Sequence, residues 1–164
     1  MASMWIDSPV GRLLLVAGAE GLVQLAFEGR HDEGVALNGA DESDPLGTRW
    51  LDQAREQLEE YFAGVRWHFD VPLAPRGTAF QLKVWSALRE IPPGSVVSYG
   101  ELARRINAPN AVRAVGAANG QNPIAIIIPC HRVIGSNGTL VGYGGGLERK
   151  RWLLDHERGQ FRIA

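Results

Sequence analysis

Three adjacent side chains in the segment PCHRV could carry out nucleophilic chemistry, because the sulfur of Cys130 stands beside the imidazole of His131 and the guanidinium of Arg132. Only the thiolate form of a cysteine is a strong nucleophile, and neighbouring positive charge favours it. A lone cysteine is more often an inert, buried apolar side chain. Its two neighbours favour a reactive Cys130, with Arg132 stabilising the thiolate.

The cysteine and histidine content limits what else this thiol can do. Cys130 is the only cysteine in 164 residues, so no internal disulfide can form. Structural zinc sites combine several thiols or histidines at short spacing, and the remaining His31, His68 and His156 are scattered along the chain. We therefore predict no metal and no cofactor.

The segments around the thiol predict how it is held. The bulky run Ile124–Ile128 is typical of a fully buried strand, and Pro129 fixes the direction of the chain just before the cysteine. Beyond it, the glycine-rich stretch Gly135–Gly146 predicts a pliable loop. This loop contains Tyr143, a polar aromatic side chain suited to contact with a ligand.

Two short helices joined by a tight turn are predicted before this segment. Ser98 begins a helix that runs to about Ile106, and Glu101 three residues later completes a capping box. Asn107 suits the turn because asparagine tolerates the left-handed conformation. The second helix, Ala111–Gly120, completes a helix-turn-helix candidate.

The outer surface of the second helix carries almost only small side chains. Val112 and Val115 are predicted to face the core, and Arg113 is the only long polar arm. Side chains that distinguish bases in the major groove are absent, whereas small residues permit close approach to a narrow groove. The alternative is an alanine-rich helix packed inside the protein. The predicted DNA-facing residues are Ala111, Ala114, Ala117 and Ala118.

The charge of the chain is divided unevenly, which bears on the kind of partner. Residues 1–76 carry 13 acidic and 6 basic side chains, whereas residues 77–164 carry 5 and 11. The resulting net charges of −7 and +6 suggest that the second half faces a polyanion, although a solvated basic face would look the same. Together with the small side chains on the second helix, the positive charge of the second half favours binding to duplex DNA without regard to sequence.

The first half is interpreted as a scaffold. Short apolar runs separated by turns predict three strands, and helical periodicity predicts a helix over Thr48–Phe62 after a loop spanning 31–47. The strands are Met4–Ile6, Arg12–Ala17 and Leu22–Phe27. The predicted organisation is an α/β domain with a small antiparallel sheet plus helix (1–70), a connector (71–77) and a mainly α, winged-helix-like domain with the helix-turn-helix (78–164).

No segment indicates export or membrane insertion. The run Leu13–Ala19 is apolar but lacks a basic leader, so we interpret it as a strand rather than a signal peptide. No run approaches the roughly 18 apolar residues of a membrane helix. A cytoplasmic protein with no membrane partner is expected.

Several sequence blocks in the second half resemble blocks of one protein family and occur in the same order as in that family. They are GTAFQLKVWSALREIPPG, VSYGELA, AVRAVGAANGQNP, IIIPCHRVIGSNGTLVGYGGG and KRWLLDHE, which cover nearly all of Gly77–Glu157. They resemble the O6-alkylguanine-DNA alkyltransferases, also called methylated-DNA–protein-cysteine methyltransferases. The first half resembles the variable N-terminal domain of bacterial members in outline only. Zinc ligands of some animal relatives have no counterparts here.

The resemblance implies a reaction and a set of roles for it. Cys130 would accept the alkyl group irreversibly, activated by His131 through a water and steadied by Glu157. Asn122 would tie the recognition helix to the active-site segment. The substrate would be O6-alkylguanine, and also O4-alkylthymine, in duplex DNA, taken up by a monomer without a protein partner.

Further positions are matched to substrate handling. Tyr99 and Tyr143 would protonate or orient the leaving guanine, and Arg113 would enter the base stack when the damaged nucleotide swings out through the minor groove. Gly144 stands where some relatives carry serine or a bulkier residue, which favours a roomier pocket. Asn107 replaces a glycine common in the turn.

Three other functions fit the sequence less well. A non-catalytic relative that recognises alkylated guanine would lack the cysteine, and Cys130 is present. A transcription factor would need base contacts that the alanine surface does not offer. A Cys–His hydrolase would need a separate histidine block, because adjacent residues on one strand rarely point at each other.

Overall fold

The computed structural model describes residues 1–29 and 44–159, which divide into two compact units. The first unit contains residues 1–76 together with 123–125, and the second contains the rest of the described chain. Most of the loop predicted over 31–47 lies outside the described residues. No helix within the described ranges is long and apolar enough to cross a membrane.

The first unit has a three-stranded antiparallel sheet and one long helix, as predicted. Its strands β1 (Ala2–Ile6), β2 (Leu13–Gly18) and β3 (Gly21–Phe27) pair in sequence order. The helix α1 (Pro45–Phe62) begins earlier than predicted, because the Asp44 side chain accepts a hydrogen bond from a backbone N–H of the first turn. The buried face of α1 contains Leu51, Ala54, Gln57, Leu58 and Tyr61.

The strand predicted over Ile124–Ile128 is wrong. Only Ile124 pairs, in an isolated bridge with Leu25 of β3, and the chain then turns. Ile126 has a φ of 70°, a left-handed conformation that is uncommon for a β-branched residue. These residues are apolar because they are buried, and not because they form an extended strand. Every residue from 124 to 128 is at most 5% exposed.

The second unit is mainly helical, as predicted. It contains α2 (Ala79–Leu88), α3 (Tyr99–Arg105), α4 (Val112–Gly120) and α5 (Leu147–Gly159). The two-residue strands β4 (Val97–Ser98) and β5 (Val133–Ile134) pair in parallel. Helices α2, α3 and α4 pack against one another.

The helix-turn-helix is formed by α3 and α4. Asn107 has a φ of 60°, which confirms the predicted left-handed turn. Ser98 caps α3 by accepting from the Glu101 backbone N–H at 3.0 Å. The second half of the predicted capping box is wrong, because the Glu101 carboxylate pairs instead with Arg104 and Arg105.

Candidate active site

The cysteine lies on a tight turn rather than at the end of a strand. Residues 130–132 form one turn of 3₁₀ helix directly after Pro129. Asn122 donates from Nδ2 to the Ile128 carbonyl at 2.7 Å, which ties the end of α4 to the segment that carries the thiol. Cys130 is buried, with 7% of its surface exposed.

His131 and Glu157 form a fully buried pair. Their Nε2 and Oε2 atoms are 2.8 Å apart, and both side chains are inaccessible to solvent. An ionised Glu157 can only accept, so Nε2 carries the proton and Nδ1 presents a lone pair. Nδ1 is buried and has no hydrogen-bond partner within the described residues. The geometry therefore makes Nδ1 the nitrogen that can take up a proton.

Arg132 holds the other side of the same carboxylate. Its Nε and Nη2 donate to the two oxygens of Glu157 at 2.8 and 2.9 Å, and Nη1 donates to the Ile91 carbonyl at 2.6 Å. The sequence places Arg132 next to the thiol, whereas the structure pairs its guanidinium with the Glu157 carboxylate. Arg132 instead fixes the orientation of the histidine's partner.

The protonation states of this cluster follow from its burial and charges. Burial lowers the pKa of His131 below its usual 6.5, with Glu157 opposing this shift and Arg132 and Lys150 adding to it. Burial by itself would raise the pKa of Glu157, but His131 and Arg132 hold it well below the ordinary value. At neutral pH the cluster contains a neutral imidazole, a carboxylate and a guanidinium.

Lys150 is a buried cation that sequence analysis missed. Its Nζ donates to the Val141 carbonyl at 2.9 Å, and the residue is fully buried. Burial lowers its pKa, while the negative charge of a Cys130 thiolate opposes that shift. A signal was present in the sequence: Lys150 and Glu157 bracket Leu153 and Leu154 at helical spacing, which places all four on the buried stripe of α5.

Tyr99 reaches the same carbonyl from the other side. Its hydroxyl lies 3.4 Å from the Val141 oxygen, so Tyr99 and Lys150 together anchor the glycine-rich segment beside the thiol. Burial and the charge of a Cys130 thiolate raise the pKa of Tyr99, and a hydrogen bond with the Asn119 side chain partly opposes this shift. Tyr99 is therefore a neutral phenol at neutral pH, with a hydroxyl that can donate a hydrogen bond.

The two remaining predicted positions in the loop differ in accessibility. Tyr143 is half-buried with its hydroxyl turned inward, and the backbone N–H of Gly146 donates to its carbonyl at 2.9 Å. Gly144 is exposed.

The outer face of α4 differs from the prediction at two positions. Ala118 is 2% exposed and Val112 is 40% exposed, so the predicted DNA contact of Ala118 and the predicted burial of Val112 are wrong. Ala118 lies one turn after the buried Val115 and therefore shares its inward face. The other predicted contacts are accessible: Arg113, Ala114 and Ala117 are exposed, and Ala111 is half-buried at the start of the helix.

Two family models match the chain, one for each compact unit. The ribonuclease-like domain of 6-O-methylguanine DNA methyltransferase matches residues 2–75, and the DNA binding domain of 6-O-methylguanine DNA methyltransferase matches residues 79–159. The chain belongs to the 6-O-methylguanine DNA methyltransferase family. The cluster of Cys130, His131 and Glu157 lies entirely within the family's DNA binding domain.

Named relatives and solved structures agree with this assignment. The methylated-DNA–protein-cysteine methyltransferase of Mycolicibacterium paratuberculosis is 48% identical over 160 residues, with 93% of this chain and 90% of the relative covered. That of Haemophilus influenzae is 50% identical over 156 residues, with 94% and 84% covered. The crystal structure of the Mycobacterium tuberculosis homologue in complex with DNA matches with a TM-score of 0.87 and 46% identity, covering 98% of this chain and 94% of that one.

The described residues of this family member show no metal centre. Within the ranges 1–29 and 44–159, no group of three or more histidine, cysteine, aspartate or glutamate side chains is arranged to hold a metal ion.

Proposed function

We propose that this chain repairs O6-alkylguanine, and also O4-alkylthymine, in duplex DNA by transferring the alkyl group irreversibly to Cys130. The observation that carries the proposal is the buried chain of contacts from His131 through Glu157 to Arg132, directly beside the chain's one thiol. This arrangement lies in a family DNA binding domain, and the named relatives are methyltransferases that act on methylated DNA.

The proposed reaction is an in-line displacement. An ordinary thiol, with a pKa of about 8.5, is mostly protonated at neutral pH and needs a base. His131 Nδ1 takes the thiol proton through one water, the sulfur bonds to the alkyl carbon, and the carbon–oxygen bond of the lesion breaks. Tyr99 donates a proton to the departing guanine, which Tyr143 orients. The thioether product is stable, so each chain reacts once.

The remaining residues position the base and the thiol. The alkylated oxygen lies inside the duplex, and enzymes that act on such an atom extrude the nucleotide at a cost of a few kcal/mol. The exposed surface of Ala114, Ala117 and Arg113 lets α4 enter the minor groove, with Arg113 filling the space left in the stack. Asn122 keeps α4 and the reactive turn in register, and the exposed Gly144 leaves room for longer alkyl groups.

We also propose that the protein works as a cytoplasmic monomer. All the residues assigned to the reaction belong to one chain, and its DNA substrate lies inside the cell. Sedimentation of the purified protein together with cell fractionation tests both points, and a dimer or an exported protein would contradict them.

Transfer of label tests the function directly. Duplex DNA carrying radiolabelled O6-methylguanine is incubated with the protein, and the label that becomes attached to protein is counted. Covalent labelling is expected, whereas a non-catalytic DNA-binding protein or a transcription factor would bind the duplex and leave the label on it. Excess unmethylated competitor DNA serves as the control, because it displaces labelled DNA that is bound only non-covalently.

Arg113→Ala should slow repair of duplex DNA about ten- to a hundredfold while leaving the reaction with free O6-benzylguanine nearly unchanged. The free base is already outside the stack, so losing a side chain that stabilises extrusion removes part of the flipping energy from the duplex reaction alone. Single-turnover rate constants for both substrates provide the comparison. Arg105→Ala, an exposed arginine of α3, is the matched control. Equal slowing of both substrates by Arg113→Ala would show that this side chain supports the fold or pocket instead.

The pH dependence of the reaction should reflect the neutral imidazole. His131 acts as a base only when it is unprotonated, and its pKa lies below 6.5 because it is buried. The single-turnover rate with O6-benzylguanine should therefore persist as the pH falls to about 6.5 and decline only at lower pH. A rate constant that has already fallen to half its maximum at about pH 6.5 or above would contradict a buried, neutral His131. His131→Gln is the control and should lack this acid limb.

A further inference from the structure

An asparagine followed by glycine in an exposed turn has a chemistry of its own, separate from that of the reactive cysteine. The chain contains three such pairs, which begin at Asn38, Asn119 and Asn137. Asn38 lies outside the described residues, and Asn119 is buried in α4 with 4% of its surface exposed. Asn137 is exposed in the loop after β5. The glycine that follows it has no side chain to hinder attack of its backbone nitrogen on the preceding amide.

The side-chain carbonyl of Asn137 is held by two donors from one residue. Thr139 donates to Oδ1 from its hydroxyl at 2.7 Å and from its backbone N–H at 3.2 Å. A backbone N–H can only donate, so the oxygen of the amide faces Thr139 and the nitrogen faces away from it. Gly135 leaves room for this arrangement, because an added Cβ there would lie 3.0 Å from Thr139 Oγ1 and 3.2 Å from Asn137 Oδ1.

The two donors make the carbonyl carbon of Asn137 a better electrophile. When a nucleophile adds to an amide, negative charge develops on the oxygen, and donors that already point at this oxygen stabilise the charge. Asn137 and Gly138 are both exposed, so water can reach the amide and ammonia can leave. An added Cβ at Gly138 would meet nothing within 4 Å, which shows open space around the backbone that must move.

The attacking atom is the backbone nitrogen of Gly138. Its N–H donates to the Gly135 carbonyl at 2.9 Å, and this hydrogen bond must open before the nitrogen can attack. The bond closes a turn in which residues 136–138 are exposed, so the opening is a small local motion in which water replaces the carbonyl. The turn therefore holds an activated carbonyl beside a nitrogen that local opening releases.

We propose that Asn137 is a site of spontaneous modification, at which the backbone nitrogen of Gly138 displaces ammonia from a side-chain carbonyl activated by Thr139. The Gly138 nitrogen gives up its proton and bonds to Cγ of Asn137. The bond from Cγ to Nδ2 then breaks, and Nδ2 takes up a proton and leaves as ammonia. Water opens the resulting succinimide ring at either carbonyl, which gives aspartate or isoaspartate. Neither DNA nor Cys130 takes part in this reaction.

Peptide mapping by mass spectrometry tests the proposal while the purified full chain is incubated at neutral pH. Asn137 should lose its amide steadily and yield both aspartate and isoaspartate. Two internal controls separate the requirements, because Asn119 precedes a glycine but is buried, whereas Asn110 is exposed but precedes an alanine. Both should keep their amides over the same period. Loss at Asn137 that is no faster than loss at Asn110 would overturn the proposal.

A substitution of Thr139 tests the activation itself. Thr139→Val removes the hydroxyl donor and keeps the side-chain shape, and it should slow amide loss at Asn137 about two- to tenfold, the effect of one hydrogen bond. Ser136→Ala, at the exposed residue before Asn137, is the matched control and should leave the rate unchanged. In denaturant the wild type and Thr139→Val should lose the amide at equal rates, because the turn is absent. Equal or faster loss from folded Thr139→Val would show that Thr139 does not activate the amide, and would overturn the proposal.

Discussion

Cys130→Ser should abolish methyl transfer completely while leaving the affinity for methylated duplex DNA within several-fold of the wild type. A serine hydroxyl is far less acidic than a thiol, so the single base at His131 Nδ1 cannot generate an equivalent nucleophile. DNA affinity should survive, because the exposed face of α4 lies apart from the buried thiol. Fluorescence anisotropy measures binding, and mass spectrometry of the protein measures transfer.

The wild type provides the complementary measurement. With excess methylated duplex, each chain should gain one methyl group, located on Cys130 by peptide mapping, and the reaction should then stop. A sulfur–carbon bond is stable, and no second nucleophile adjoins Cys130 within the described site to release the product. Repeated turnover, or a label elsewhere in the chain, would contradict irreversible acceptance by this thiol.

Features governed by local sequence were predicted well. Asn107 supplies the left-handed turn and Ser98 the helix cap, because each effect depends on a few neighbouring atoms. The mainly helical second unit and the antiparallel sheet of the first follow in the same way from periodicity and turn residues.

Features that depend on distant neighbours were not predicted. The run at 124–128 is apolar because it is buried, and apolarity alone does not distinguish a strand from a buried turn. Arg132 was assigned to the thiol because the two are close in sequence, yet its partner Glu157 lies 25 residues away on α5. The orientation of Ala118 was missed because an alanine-rich helix gives little indication of which face is buried.

Arg132→Met should lower the free energy of unfolding by about 3–5 kcal/mol, the typical cost of removing one partner from a buried ion pair. Glu157 is inaccessible to solvent, so the carboxylate would lose two hydrogen bonds without water to replace them. Chemical denaturation measures the change. Arg104→Met removes an arginine of the same unit whose partner Glu101 is well exposed, and it should lower the free energy of unfolding far less, because solvent screens an exposed ion pair.

A second substitution separates loss of the ion pair from loss of packing. Arg132→Met combined with Glu157→Leu removes the stranded charge and should recover much of the lost stability, leaving mainly the unpaired Nε2–H of His131. If the double variant loses as much free energy of unfolding as the two single variants together, the two side chains do not act as a pair.

Acid should weaken the same interaction in the wild type. The pKa of Glu157 in the folded protein lies well below its usual 4.5, so its contribution to stability is present above that pH. The contribution is lost as the pH falls through the lowered value, because the folded protein must then protonate a carboxylate that is held ionised. The stability difference between the wild type and the double variant should therefore shrink below about pH 4.5. A difference that stays constant through acid would mean that Glu157 is not held as a buried carboxylate between His131 and Arg132.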